Sequence, residues 1–140
     1  VEGDNALIDA LPLSTARMLA VELLHDESKF RVEYWPNNED CQYPFPSCVK
    51  ELCAEYSKIY SVKGETIIDF TAARPWESDK KYIVIGTDIM HTSILILPSD
   101  EFVYILDGNE ISTEEINDSR YSSLYHYIIH VAKDLYDIPI

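Results

Sequence analysis

Three stretches of the chain repeat apolar residues at helical spacing, and five others alternate or run continuously apolar. From about Ser14 to His25, Ala16, Leu19, Ala20, Leu23 and Leu24 make one helical face. Ser14 or Thr15 is placed to cap it, offering a side-chain oxygen to an orphan backbone N–H of the first turn. A short apolar piece, Ala6 to Leu11, precedes this helix and is stopped by Pro12, so residues 1–12 read as a loosely packed N-terminal extension. Phe30 to Trp35 alternates bulky and charged residues, the pattern of a half-buried strand, and Pro36 ends it. Asn37 to Pro46 reads as a loop. A second helix is expected to start at the capping residue Ser47 and to carry Val49, Leu52, Cys53, Tyr56, Ile59 and Tyr60 on one face.

Thr66 to Phe70 follows the turn at Lys63-Gly64 as a strand, and Thr71 to Lys81 is an irregular connector. Tyr82 to Ile85 is a strand closed by Gly86, and Thr92–Leu97 and Phe102–Leu106 form a hairpin across Pro98 to Glu101. The last helix is expected from about Ser119 to Tyr136, with Tyr121, Leu124, Tyr125, Ile128, Val131, Ala132 and Leu135 inside. Runs of strands, rather than strict alternation with helices, predict a single α+β domain over residues 1–140. Its expected architecture is a mostly antiparallel sheet of about five to six strands flanked by three main helices.

Composition narrows the function. The 140 residues include 25 Asp plus Glu against 11 Lys plus Arg, a formal net charge of −14. Such a surface repels phosphate backbones and anionic lipid, which argues against direct nucleic-acid or membrane binding. No apolar run approaches the ~20 residues of a membrane span. Val1-Glu2-Gly3-Asp4 lacks the positive region and apolar run of a signal peptide. Three cysteines, Cys41, Cys48 and Cys53, form no CxxC pair. They read as reduced thiols of a cytoplasmic protein, with Cys53 filling the core, although Cys41 and Cys48 flank a Pro-rich turn and could meet.

Candidate chemistry is sparse. His126 and His130 are four residues apart on the last helix and could chelate a metal, with Asp134 a turn further on. The glutamate of a HExxH motif is missing, so no metal site is expected and both histidines read as lying on the solvent-side stripe of the helix, with the metal pair as the alternative. No GxSxG elbow, P-loop or glycine-rich phosphate loop occurs among the four glycines. No catalytic residue and no cofactor is expected, and the domain reads as a non-enzyme.

Charge distribution says more. Between Lys81 and Arg120 there is no basic residue, while Asp88, Asp100, Glu101, Asp107, Glu110, Glu114, Glu115 and Asp118 all fall inside. If they share one edge of the sheet, they form a field able to steer a basic protein. The alternative is that Glu114, Glu115 and Asp118 favour the dipole of the last helix and the rest keep the chain soluble. Trp35, Tyr43, Trp76 and Tyr104 are candidate interface anchors, with at least two of them expected in core or connector packing. The expected site is therefore Asp88, Asp100, Glu101, Asp107, Glu110, Glu114 and Glu115 with Trp35 and Trp76.

The segments Tyr82-Ile83-Val84-Ile85-Gly86-Thr87-Asp88, Ser93-Ile94-Leu95-Ile96-Leu97 and Phe102-Val103-Tyr104-Ile105-Leu106-Asp107 carry a family resemblance, as does Ile116-Asn117-Asp118-Ser119 leading to Leu124. Leu11-Pro12-Leu13-Ser14 is a fainter N-terminal echo. Together they resemble the SUKH superfamily, bacterial toxin-immunity proteins related to a fungal cell-wall assembly regulator. The resemblance implies an α+β fold without catalysis that masks a toxin, often a nuclease. With the acidic composition, it leads to an expected partner, a basic protein toxin, and an expected state of monomer or weak dimer. The alternatives are an acidic adaptor or a structural subunit of other role and, after these, a metal-binding or hydrolytic domain using His126 and His130.

Overall fold

The computed structural model describes residues 8, 10–36, 45–77, 80–87, 93–97, 102–106 and 120–136. Three α-helices and two antiparallel sheets are described, so the α+β class holds, but the expected single sheet is divided. Helix α1 is Leu13–Leu24, strand β1 is Phe30–Tyr34, helix α2 is Ser47–Glu55, strand β2 is Tyr56–Ser61 and strand β3 is Thr66–Asp69. A 3-10 turn, Phe70–Ala72, leads to β4 (Arg74–Pro75), β5 (Ile83–Thr87), β6 (Ser93–Ile96), β7 (Val103–Leu106), β8 (Arg120–Tyr121) and helix α3 (Leu124–Tyr136). The first sheet has the order β1-β2-β3, and the second runs β4-β5-β6-β7-β8 in simple up-and-down order.

The largest departure from expectation is at β2. Tyr56, Ile59 and Tyr60 continue the helical spacing of Val49, Leu52 and Cys53, yet the helix stops at Glu55 and Tyr56 is already extended, with φ −115° and ψ 138°. The segment Tyr-Ser-Lys-Ile-Tyr-Ser also satisfies a two-residue period. As the middle strand between β1 and β3 it bonds on both sides, and this tertiary gain outweighs continuing the helix. Gly64, with φ +92°, makes the left-handed turn from β2 into β3.

Helix starts shift for a related reason. Pro12 and Pro46 are the residues that open α1 and α2, and their carbonyls accept from the N–H of Ala16 at 2.9 Å and of Lys50 at 2.8 Å. Ser14, Thr15 and Ser47 therefore lie inside the helices and do not cap them. Gly86 does not close its strand. Instead β5 runs on to Thr87, with an irregularity between Val84 and Gly86 where the pairing to β6 slips. The last helix starts at Leu124, because Arg120 and Tyr121 pair with Tyr104 and Val103 as a short edge strand.

The two sheets share one core. β3 packs on β5, α1 packs on α3, and Ile8, Ala16, Ala20, Phe30, Val49, Ile59, Ile68, Ile85, Ile94, Leu124 and Ile128 meet there fully buried. Cys48 and Cys53 are both buried in it, Cys53 as expected, and Cys41 lies outside the described residues. The five-stranded sheet is covered on its other face as well. Val84, Leu95 and Tyr104 stand in one register row and pack with Trp76 and Tyr82. Covering both faces explains why these strands read as continuous apolar runs.

Candidate functional site

Ser123 stands immediately before α3, where its Oγ accepts the backbone N–H of His126 at 3.3 Å, the bond of an N-cap residue. The same Oγ lies 2.6 Å from His126 Nδ1, and His126 Nε2 lies 2.9 Å from the carbonyl oxygen of Leu11. A carbonyl can only accept, so Nε2 carries the proton and Nδ1 accepts from the serine hydroxyl. Both ring nitrogens are thus engaged on a side chain that is 2% exposed. His126 ties the chain before α1 to the start of α3 and has no lone pair left for a metal.

His130 is also turned inward, with a side chain 13% exposed, and pairs through Nε2 with Asp134 at 3.1 Å. Its ring leans on Tyr121, with centroids 5.0 Å apart. Neither histidine lies on a solvent stripe, because α3 is buried on nearly all sides along its first two turns. Among the described residues no group of three potential metal ligands converges.

The acidic candidates Asp88, Asp100, Glu101, Asp107, Glu110, Glu114 and Glu115, with Asp118, lie outside the described residues, as does Tyr43. The strands on either side of them nonetheless fix where those segments leave the sheet. Thr87, Ser93 and Leu106 stand in one register row at one end of the sheet. The segments that begin with Asp88 and with Asp107 therefore both depart from that end, the second carrying Glu110, Glu114, Glu115 and Asp118. Asp100 and Glu101 belong to the link from β6 to β7, which departs from the opposite end, beyond Ile96 and Val103. Helix α3 begins at Leu124 with no acid in its first turn, so Glu114, Glu115 and Asp118 precede it by six residues or more. A helix dipole acts within its first turn, which removes the dipole rationale for these acids.

Charge divides sharply along the chain. No Lys or Arg falls between Lys81 and Arg120, where eight acids lie, and the rest of the chain carries all eleven bases with the other seventeen acids. Among the described residues, Arg17 Nε meets Glu51 at 3.0 Å and Lys29 Nζ meets Asp26 at 3.1 Å. Asp26 also accepts from the Ser28 hydroxyl at 2.6 Å, and this bond, ahead of the one from Lys29, lowers its carboxyl to a pKa of about 2.

Compared with protein-family models, curated proteins and solved structures, the chain finds no match in any of the three. Of the expected aromatic anchors, Trp76 is 8% exposed and meets Tyr82 edge-on at 6.0 Å, and Tyr104 is 3% exposed beside the same tyrosine. Trp35 is half-buried and donates its indole N–H to the Cys53 carbonyl. These rings serve packing, and among the described residues the large exposed aromatic is Tyr34, at 62%.

Two arrangements escaped the sequence reading. Tyr125 donates its hydroxyl to Glu51 Oε2, which also accepts from Arg17, so one carboxylate joins all three helices. Tyr136 donates to the Lys29 carbonyl and accepts from the Val62 N–H at 3.1 Å, locking the end of α3 to the first sheet. Both partners are more than seventy residues apart in sequence, and no local pattern announces such bonds.

Proposed function

We propose that the chain is a non-catalytic protein-binding domain that masks a basic partner with its acidic segments, in the manner of an immunity protein on its toxin. The observation that carries this reading is the division of charge. Between Lys81 and Arg120 the chain carries eight acids, Asp88, Asp100, Glu101, Asp107, Glu110, Glu114, Glu115 and Asp118, and no base. Asp88, Asp107, Glu110, Glu114, Glu115 and Asp118 belong to two segments that leave one end of the second sheet. A nuclease toxin is the partner class that fits best, because its substrate cleft must be basic to hold phosphates. Acids of this kind raise the association rate and exclude nucleic acid by competing for the same cations.

The test is a salt-gradient capture from lysate of the source cells, run beside a variant with Asp88, Asp107, Glu110, Glu114 and Glu115 changed to their amides. The wild-type chain is expected to retain a basic protein, release it only at high salt and block its action on nucleic acid. The five-amide variant should associate roughly tenfold more slowly or worse, whereas amides at Asp100 and Glu101, at the opposite end, should have little effect. Unaltered binding and inhibition by the five-amide variant would remove this reading.

A further inference from the structure

Among the described residues, β1 pairs with β2 on one side and with nothing on the other. Its phase in the ladder is fixed at one end. Val62 N–H donates to the Lys29 carbonyl at 3.1 Å, while Ser61 N–H turns away to Glu65 at 2.8 Å. Antiparallel pairs alternate, so Arg31 bonds across to Tyr60, and the backbone groups of Val32 point to the open edge. The strand reads Phe-Arg-Val-Glu-Tyr: aromatic, basic, aliphatic, acidic, aromatic. Read backwards it is the same pattern with the charges exchanged, which is what a strand needs to pair antiparallel with its own copy.

The solvent face of the sheet points the same way. Register places Asp69 on β3, Lys58 on β2 and Glu33 on β1 in one row, alternating in sign and ending on an anion at the edge. A two-fold axis through Val32 would set Arg31 of a second copy next in that row, and Arg31 of the first copy against the other Glu33. Beside the strand lies a groove of about 620 Å³ lined by Leu24, Phe30, Val32 and Tyr34 together with the polar His25, Glu27 and Arg31. The same axis puts the exposed Tyr34 ring of each copy opposite Phe30 of the other, over that groove. We propose that β1 is a homodimer edge, two copies pairing residues 30–34 antiparallel about Val32 with reciprocal Arg31–Glu33 contacts.

This inference is independent of the acidic segments and their partner. Five residues a side fall short of the ~1,200 Å² of a standard stable interface, so the dimer is weak. Net charges of −14 on each copy also repel. Salt near physiological strength screens that repulsion beyond ~8 Å but spares contact pairs, so association should tighten from low salt to moderate salt.

Sedimentation velocity from micromolar to near-millimolar concentration tests it on four chains. The wild type should form a concentration-dependent dimer. Arg31→Glu and Glu33→Arg should each weaken it by roughly tenfold or more, since each sets two like-charge contacts across the axis. The double exchange should regain the dimer, and an equimolar mixture of the two single variants should form heterodimers. A wild type that stays monomeric throughout overturns the proposal. So do single variants that dimerise like the wild type, or a folded double exchange that does not recover, as expected if another protein's strand occupies this edge.

Discussion

Removing one oxygen atom at the start of α3 tests the central polar contact of the fold. Ser123 is fully buried, accepts the His126 N–H and donates to Nδ1 of the same residue, which in turn holds the Leu11 carbonyl through Nε2. Ser123→Ala loses an N-cap, which costs about 1 kcal/mol, with a range of about 0.5–2. It also strands His126 Nδ1 in the interior without a donor, a further cost of about 1–3 kcal/mol. The sum is about 2–4 kcal/mol. For 140 residues the unfolding entropy is about 0.3 kcal/mol per degree, so the melting temperature should fall by about 7–13 °C. Urea unfolding checks the energy directly, with a lower midpoint and an unchanged slope. A double-mutant cycle with His126→Phe should return a coupling of about 1–2 kcal/mol, because the two side chains act as one unit. A Ser123→Ala chain within about 0.5 kcal/mol of wild type, or a coupling near zero, would refute this account and reopen His126 as a ligand.

Two titrations probe the other buried and paired groups. Burial, then the bond to Glu51, holds the Tyr125 hydroxyl well above the ordinary tyrosine range. Its contribution is present below the unfolded value near 10 and lost above it, when only the unfolded chain ionises there. Tyr125→Phe should cost about 1 kcal/mol at neutral pH, since Glu51 is half exposed, and should flatten the loss of stability above about pH 10 in urea melts. Asp26 behaves in the opposite sense, its carboxyl being held at about 2 against an ordinary 3.8. Its stabilisation is complete above the ordinary value and lost as pH falls toward 2, so Asp26→Asn should melt below wild type at neutral pH and converge with it in acid. A gap between the two chains that stays constant down to that pH would contradict the Ser28 and Lys29 contacts.

What the sequence disclosed, and what it hid, follows from the range of the forces involved. Helix α1 and strands β5 to β7 were legible because their apolar patterns are decided by a single buried face or by burial on both faces. The junction at Glu55 and Tyr56 was not, since Tyr56, Ile59 and Tyr60 fit both periods and only pairing with Phe30–Tyr34 and Thr66–Asp69 decides between them. The inward turn of His126 was equally hidden, because it depends on a carbonyl 115 residues away in sequence. Trp76 was read as a candidate anchor from residue type alone. Its burial comes from Tyr82 and Tyr104 on the far face of a sheet whose second covering layer no local pattern specifies.

The distribution of acids needs an explanation that the fold does not supply. Surface pairs such as Arg17–Glu51 and Lys29–Asp26 contribute little each. Glu114, Glu115 and Asp118 do not serve the α3 dipole, since the first turn of that helix contains no acid. Solubility of a small domain is secured by a net charge of magnitude ~2–8, and −14 exceeds that while adding self-repulsion that opposes compaction. A charge retained at a cost to the isolated chain is accounted for when a cationic surface neutralises it in a complex. The two sheet ends differ: the links at Thr87, Ser93 and Leu106 carry six acids and no base, and those at Ile83, Ile96 and Val103 carry four acids, Glu77, Asp79, Asp100 and Glu101, beside Lys80 and Lys81. The first end is therefore the one at which the proposed basic partner is expected to bind.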